Sequence, residues 1–115
     1  MDEQVYREKL SSFKNSCRIY RKEKQTVETF TSSASMPDQQ VLRFLKEDVK
    51  NVDRIFDLLK DLFGTSAVLM IWLLFVEEKT QVDVAYQLGI TRHQLQYSVS
   101  KYMHRVFEEE EHRGS

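Results

Sequence analysis

Between Thr91 and Lys101 the chain carries Arg92, His93, Gln94, Gln96, Tyr97, Ser100 and Lys101, a run of donors and acceptors with no carboxylate among them. Such side chains can read DNA. Arg bonds guanine through two parallel contacts, Gln bonds adenine in the same way, and Lys and hydroxyl groups meet phosphates. No acid occurs between Asp83 and Glu108, so a helix bearing this run meets no repulsion from a phosphate backbone. Catalysis is the poorer reading. The histidines are His93, His104 and His112, and on one helix His93 and His104 would stand about 16 Å apart, too far to share a metal ion. The lone cysteine, Cys17, excludes an internal disulfide and a cysteine-based zinc site. No glycine-rich phosphate loop and no nucleophile paired with a base is visible. The expectation is a protein that is not an enzyme and that uses no metal and no cofactor.

A reading helix must be held at a fixed angle, and the residues before it supply the means. Thr80 followed by Asp83 signals a helix start, with the hydroxyl accepting from a free backbone N–H and the acid favouring the positive end. A short helix from Gln81 to about Leu88 follows, with Val82, Val84, Ala85 and Leu88 as its apolar contacts. Gly89 sits where a left-handed turn is required, and Ile90 can pin that turn to a core. Thr91 and Gln94 have the spacing of a capping box. The last helix then runs from Arg92 to about Phe107. Its buried stripe is Leu95, Val99, Tyr102 and Val106, and its outward face holds His93, Tyr97, Ser100, Lys101 and His104. Together these signals satisfy a helix-turn-helix.

This stretch, "TQVDVAYQLGITRHQLQYSVSKYMHRV", resembles the fourth region of bacterial sigma factors, the helix-turn-helix that reads a promoter element. The shared pattern is Val84-Ala85, Leu88-Gly89-Ile90-Thr91-Arg92, Leu95, Val99 and Val106. It is also similar to sigma-like phage regulators of the ArpU and RinA type. Tyr102 stands where the sigma pattern usually has alanine. An apolar helix before the motif is usual, so the likeness extends from about Thr65, and it does not reach the first 64 residues. The resemblance implies a transcriptional regulator, phage-encoded and sigma-like. It implies double-stranded DNA as partner and RNA polymerase as a further candidate. On this reading Arg92, His93, Gln94, Gln96, Tyr97, Ser100 and Lys101 contact DNA. Thr80, Gln81, Thr91, Lys14 and Arg18 are candidate phosphate contacts.

The rest of the chain must carry this head. The segment "AVLMIWLLFV" has no polar face, which predicts a central core helix introduced by caps at Thr65 or Ser66. Before it, Val41, Leu45, Val49, Val52, Phe56, Leu59 and Phe63 form a nearly heptad seam. That predicts a helix from Pro37, capped by Ser35, to Phe63, with Gly64 as a left-handed stop. So long a helix needs a long partner, either the first helix or a second copy of the chain. The first helix is expected over residues 3–24, where Tyr6, Leu10, Phe13, Cys17 and Tyr20 share one face. Lys14, Arg18, Arg21, Lys22 and Lys24 surround that stripe, either as a solvated face or as an arm that touches phosphate. Thr26 to Ser35 reads as a Ser/Thr-rich linker. The organisation is thus 1–36, basic helix and linker; 37–64, long amphipathic helix; 65–115, helix-turn-helix with an acidic end.

Three glycines and one proline in 115 residues leave few breaks, which favours an all-α domain of about five helices. Net charge is −1, but residues 1–25 carry +3 and 80–107 carry +2, ahead of four consecutive glutamates, Glu108 to Glu111. The acidic run reads as a solvated helix end or frayed tail. The longest apolar run is too short for a bilayer, and no signal peptide is visible, so a cytoplasmic protein with no membrane partner is expected. A homodimer joined along the seam would present two heads to a repeated site. The alternative to a DNA reader is a helical interaction module, a regulator of transcription machinery or a phage accessory or packaging protein. Near-neutral net charge and the acidic run favour that alternative.

Overall fold

The computed structural model describes residues 2–32 and 39–113, with side-chain surroundings for 2–22 and 50–113. Among the described residues it is all-α: α1 (Glu3–Ser32), α2 (Gln39–Phe63), α3 (Thr65–Ile71), a π-helical segment (Trp72–Val76), α4 (Gln81–Leu88) and α5 (Arg92–Arg113).

α1 and α2 form an antiparallel hairpin. Phe13 meets Phe56 with ring centroids 6.0 Å apart, and further along α1 the Tyr20 hydroxyl donates to Asp53, earlier in α2, at 3.1 Å. The α1 stripe falls as its period predicts: Tyr6, Phe13, Cys17 and Tyr20 are buried and Leu10 packs beside them. α2 answers with Val52, Phe56 and Leu59, joined by Ile55 and Leu58. The long partner that α2 requires is therefore α1 of the same chain. Val41, Leu45 and Val49 have side chains outside the described residues, as do Ser35 and Pro37 entirely.

Four expectations are corrected here. α1 continues through Thr26 to Ser32, where a linker was expected. No glycine or proline interrupts it there, and extending an existing helix through Ser or Thr costs only tenths of a kcal/mol per residue, roughly. α3 begins directly at Thr65, with Gly64 as its N-cap and no side-chain cap, so neither Thr65 nor Ser66 caps it. Gly64 has φ 91° and ψ −175°, a positive φ but an extended ψ rather than a left-handed helical stop. The apolar segment is not one regular helix either, because its second half winds as π turns and Leu69 is 48% exposed.

The main core gathers around Phe13, whose ring lies 5.7 Å from Phe75 and 6.3 Å from Phe107 in edge-on contacts. Trp72 is half-buried between Tyr20 and Phe56, at 5.8 and 5.4 Å. Tilted and edge-on ring pairs add about 0.5–1.5 kcal/mol each beyond their buried area. α5 enters this core through Met103, Val106 and Phe107. Met103 and Phe107 extend the predicted stripe, because α5 faces α1 and α2 as well as α4. A second, smaller core of Met70, Leu73, Val84, Ala85 and Leu95 seats α4 and the start of α5.

Candidate nucleic-acid interface

The α4–α5 corner forms from local signals. The Thr80 hydroxyl accepts from the Asp83 N–H at 3.2 Å and starts α4. Gly89 ends it at φ 69° and ψ 31°, in the left-handed region, with its own N–H and that of Ile90 returning to Tyr86 and Ala85 carbonyls. The capping box then closes in both directions. Thr91 Oγ1 accepts from the Gln94 N–H at 3.1 Å, and Gln94 Oε1 accepts from the Thr91 N–H at 2.9 Å. Ala85, 5% exposed, lies against the crossing helix, and half-buried Ile90 packs on the same cluster.

Val82 departs from its expected role as an apolar contact, being 63% exposed. At about 100° per residue it lies about 160° from Val84 and about 120° from Leu88, and it shares the outer face of α4 with Tyr86. His104 also leaves the outward face of α5. Its ring stacks on Tyr6 at 3.4 Å, and its Nδ1 lies 2.7 Å from the Ser100 carbonyl. Burial holds the Tyr6 phenol above its ordinary range, against a smaller opposing effect of its hydrogen bond with Ser100.

The corner brings part of the expected reading set together. Gln81 Oε1, at the start of α4, accepts from Arg92 Nε at 3.0 Å and from Gln96 Nε2 at 2.9 Å. One amide oxygen therefore ties the first helix to two candidate base-reading side chains. The spacing of Arg92 and Gln96 places both on one α5 face; their common partner on α4 is a tertiary contact that spacing does not reveal. His93, Tyr97 and Lys101 continue the outer stripe at intervals of four residues, all exposed. Gln94 is exposed as well, but its carbonyl oxygen is engaged in the cap, and a bidentate adenine contact needs that oxygen. The Thr80 and Thr91 hydroxyls are likewise engaged as caps.

The phosphate candidates on α1 lie closer to the corner than their distance in sequence suggests. Lys14 and Arg18 line the same cleft as Thr80, Gln81, Gln96 and Ser100. Lys14 Nζ sits 5.4 Å over the Phe75 ring, and Arg18 pairs with Glu78 at 2.9 Å. Lys79 lines this cleft too. It stands immediately before Thr80, but its charge alone carried no positional signal.

The acidic run is neither frayed nor adrift. α5 continues to Arg113, and Glu109 takes bonds from Arg105 at 2.9 Å and Arg113 at 3.2 Å. Lys9 of α1 reaches Glu111 at 2.7 Å, and Arg54 of α2 reaches Glu110 at 3.7 Å. Carboxylates near a helix C-terminus oppose its dipole, and these cations offset that. The Arg105 and Arg113 bonds hold the Glu109 carboxyl below its usual range, and Lys9 does the same for Glu111. Cys17 is fully buried, which pushes its thiol up to about 12, so it carries no thiolate at neutral pH.

No helix among the described residues is long and apolar enough to cross a membrane. The chain matches no family model, no curated protein and no solved structure.

Proposed function

We propose that the chain is a sequence-specific DNA-binding transcriptional regulator, sigma-like and phage-type in character, whose α5 reads the major groove from its amino end. The observation that carries this reading is the Gln81–Arg92–Gln96 junction at a capped helical corner. It presents Arg92, His93, Gln96 and Tyr97 on an exposed face, and the first acid along α5 from Arg92 is Glu108, about 24 Å along the axis. Lys14, Arg18 and Lys101 are the proposed phosphate contacts, and double-stranded DNA in the cytoplasm is the proposed partner. RNA polymerase belongs to the proposal as a second partner. A homodimer would have to join through surfaces other than Val52, Phe56 and Leu59, which are buried within the chain.

The test is a mobility shift on DNA selected from genomic fragments. Arg92→Ala is expected to cost about 1–3 kcal/mol and to relax preference at one base position. Lys101→Ala is expected to weaken all sequences alike and to lower the salt slope by about one. If both variants bind as the parent does, α5 is not the reading helix.

The helical interaction module is the second reading, and one observation favours it. Val82 and Tyr86 stand 63% and 87% exposed on the outer face of α4, an apolar pair that a DNA reader does not require. Tyr86→Ala with DNA binding unchanged and a protein partner lost would establish that reading.

A further inference from the structure

Between α1, the π segment and the start of α5 the surface opens into a cleft of about 640 Å³. That size falls within the range of small-molecule sites. Its floor is apolar, with Leu10 from α1, Leu74 from the π segment and Val99 from α5, each half-buried. Its rim is cationic, with Lys14, Arg18 and Lys79 set against one carboxylate, Glu78, among the described residues. Arg18 holds Glu78, and Lys79 lies 3.9 Å from Glu77. Lys14 lies over an aromatic ring and has no carboxylate partner among the described residues.

The backbone beside this cleft is unusual in two ways. The π turns supply Leu74 to its floor. Glu78 on its rim has φ 56°, the single non-glycine residue with positive φ among those described. Both conformations are uncommon and cluster at functional sites.

We propose that this cleft binds a small organic anion with an apolar, ring-bearing body, and that its occupancy is felt at Arg92. A bare phosphate would satisfy the rim and leave the floor uncovered. A neutral apolar molecule would cover the floor and leave Lys14 without a counter-charge. A carboxylate, sulfonate or phosphate ester on a ring meets both, with the charge-assisted bonds at the rim fixing its orientation. The link to Arg92 runs through Gln81 and Gln96. Both line the cleft, and Gln81 Oε1 accepts from Gln96 and from Arg92 alike. A ligand oxygen that takes the Gln96 amide leaves Gln81 to Arg92 alone and resets that guanidinium. The regulatory consequence rests on the DNA reading of α5, whereas the binding itself does not.

The experiment uses the full chain without DNA. The probe is 8-anilinonaphthalene-1-sulfonate, and neutral N-phenyl-1-naphthylamine is its uncharged counterpart. One saturable site is expected, with the sulfonate favoured about tenfold by its charge-assisted contacts. Methyl and side-chain amide resonances of Leu10, Leu74, Val99, Gln81 and Gln96 are expected to shift on binding. The paired surface reversal Lys14→Glu with Lys79→Glu removes the sulfonate preference, and Lys60→Glu, exposed on α2, leaves it intact. Equal affinity for the two probes, shifts that map elsewhere, or indifference to the paired reversal overturns the proposal. A chain that binds the sulfonate in this cleft and shifts no DNA keeps the ligand site and overturns only the reading of α5.

Discussion

The α1–α2 frame and the α4–α5 corner are built by different means. In the frame, rings far apart in sequence converge: Phe13 touches Phe56, Phe75 and Phe107. In the corner, the shape follows from neighbours, with Thr80 bonded to Asp83, Thr91 to Gln94, and Gly89 turning between them. Among the described residues the corner's own core has five buried side chains, which is little to hold two helices. Leu74, Val99 and Tyr102 pack on both clusters and link the two regions. The corner thus takes its angle from local chemistry and its footing from remote packing.

The strongest way to break this comparison is to remove a ring from the frame. Phe56→Ala is expected to cost about 3–5 kcal/mol, a large part of the stability of a small domain. Leu95→Ala, in the corner, is expected to cost about 2–5 kcal/mol. Because Leu74, Val99 and Tyr102 are shared, each variant should still unfold in one transition. Trp72 fluorescence would follow the frame, and amide exchange along α5 would follow the corner. Two separate transitions would show that the regions stand independently.

The glycines sharpen the contrast at smaller cost. Gly64, between α2 and α3, combines φ 91° with an extended ψ, a region nearly confined to glycine. Gly89 occupies the ordinary left-handed region at φ 69°. Nothing lies within 4 Å of a Cβ added at either position, so the cost is backbone strain alone. Gly64→Ala is expected to lose about 1–3 kcal/mol and Gly89→Ala about 1–2 kcal/mol. Gly89→Asn should lose less than Gly89→Ala, since Asn tolerates this turn, whereas Gly64→Asn should gain no such relief. Denaturant midpoints of the four variants check the order.

The same division explains what could be read from the sequence. The all-α class and the Tyr6, Phe13, Cys17, Tyr20 stripe follow from a helical period. The caps at Thr80 and Thr91 follow from partners three residues away. Val82 was misplaced because valine suits a core by type, and only its angle from Val84 and Leu88 shows that it faces solvent. Phe107 gained its role from contact with Tyr6 and Phe13 of α1, and Met103 from the core that α1 and α2 share with α5, which no local window contains. The π turns after Ile71 gave no warning, since "WLLFV" is apolar on every side in either winding. Within the candidate interface, the exposed α5 face was legible from periodicity. The Gln81 bridge and the cleft shared with Lys14 and Arg18 were not, because they depend on how α1 and α4 pack against α5.

Next in size are the caps. Thr80→Ala and Thr91→Ala are each expected to cost about 1 kcal/mol, with amide exchange rising in the first turn of the helix concerned. Thr91→Ala removes the acceptor of the Gln94 N–H but keeps the backbone N–H that holds Gln94 Oε1, so Gln94 stays engaged in the cap. No gain in DNA reading is therefore expected from either variant.

The smallest expected effect lies where the two regions meet for the last time, at the acidic end of α5. Glu109 and Glu111 have carboxyls held below their ordinary range, chiefly by bonds from Arg105 and from Lys9. A folded value below the unfolded one means that these groups stabilise the fold above the unfolded value. That contribution is lost as pH falls through the folded value. Both are solvent-exposed pairs, so salt should screen them and the effect on the melting temperature should be slight. Glu111→Gln is expected to melt below the parent at pH 7. The gap should begin to narrow as pH falls past the ordinary glutamate value of about 4.3 and close once pH is below the depressed folded value. The variant also releases the Lys9 tether from α1, and the place where that is felt tests the comparison. Amide exchange should rise in the last turns of α5 and stay unchanged from Arg92 to Gln96, where the Gln81 bridge and the capping box act. A matching rise at Arg92 to Gln96 would mean that the corner draws its local order from the frame as well as its position.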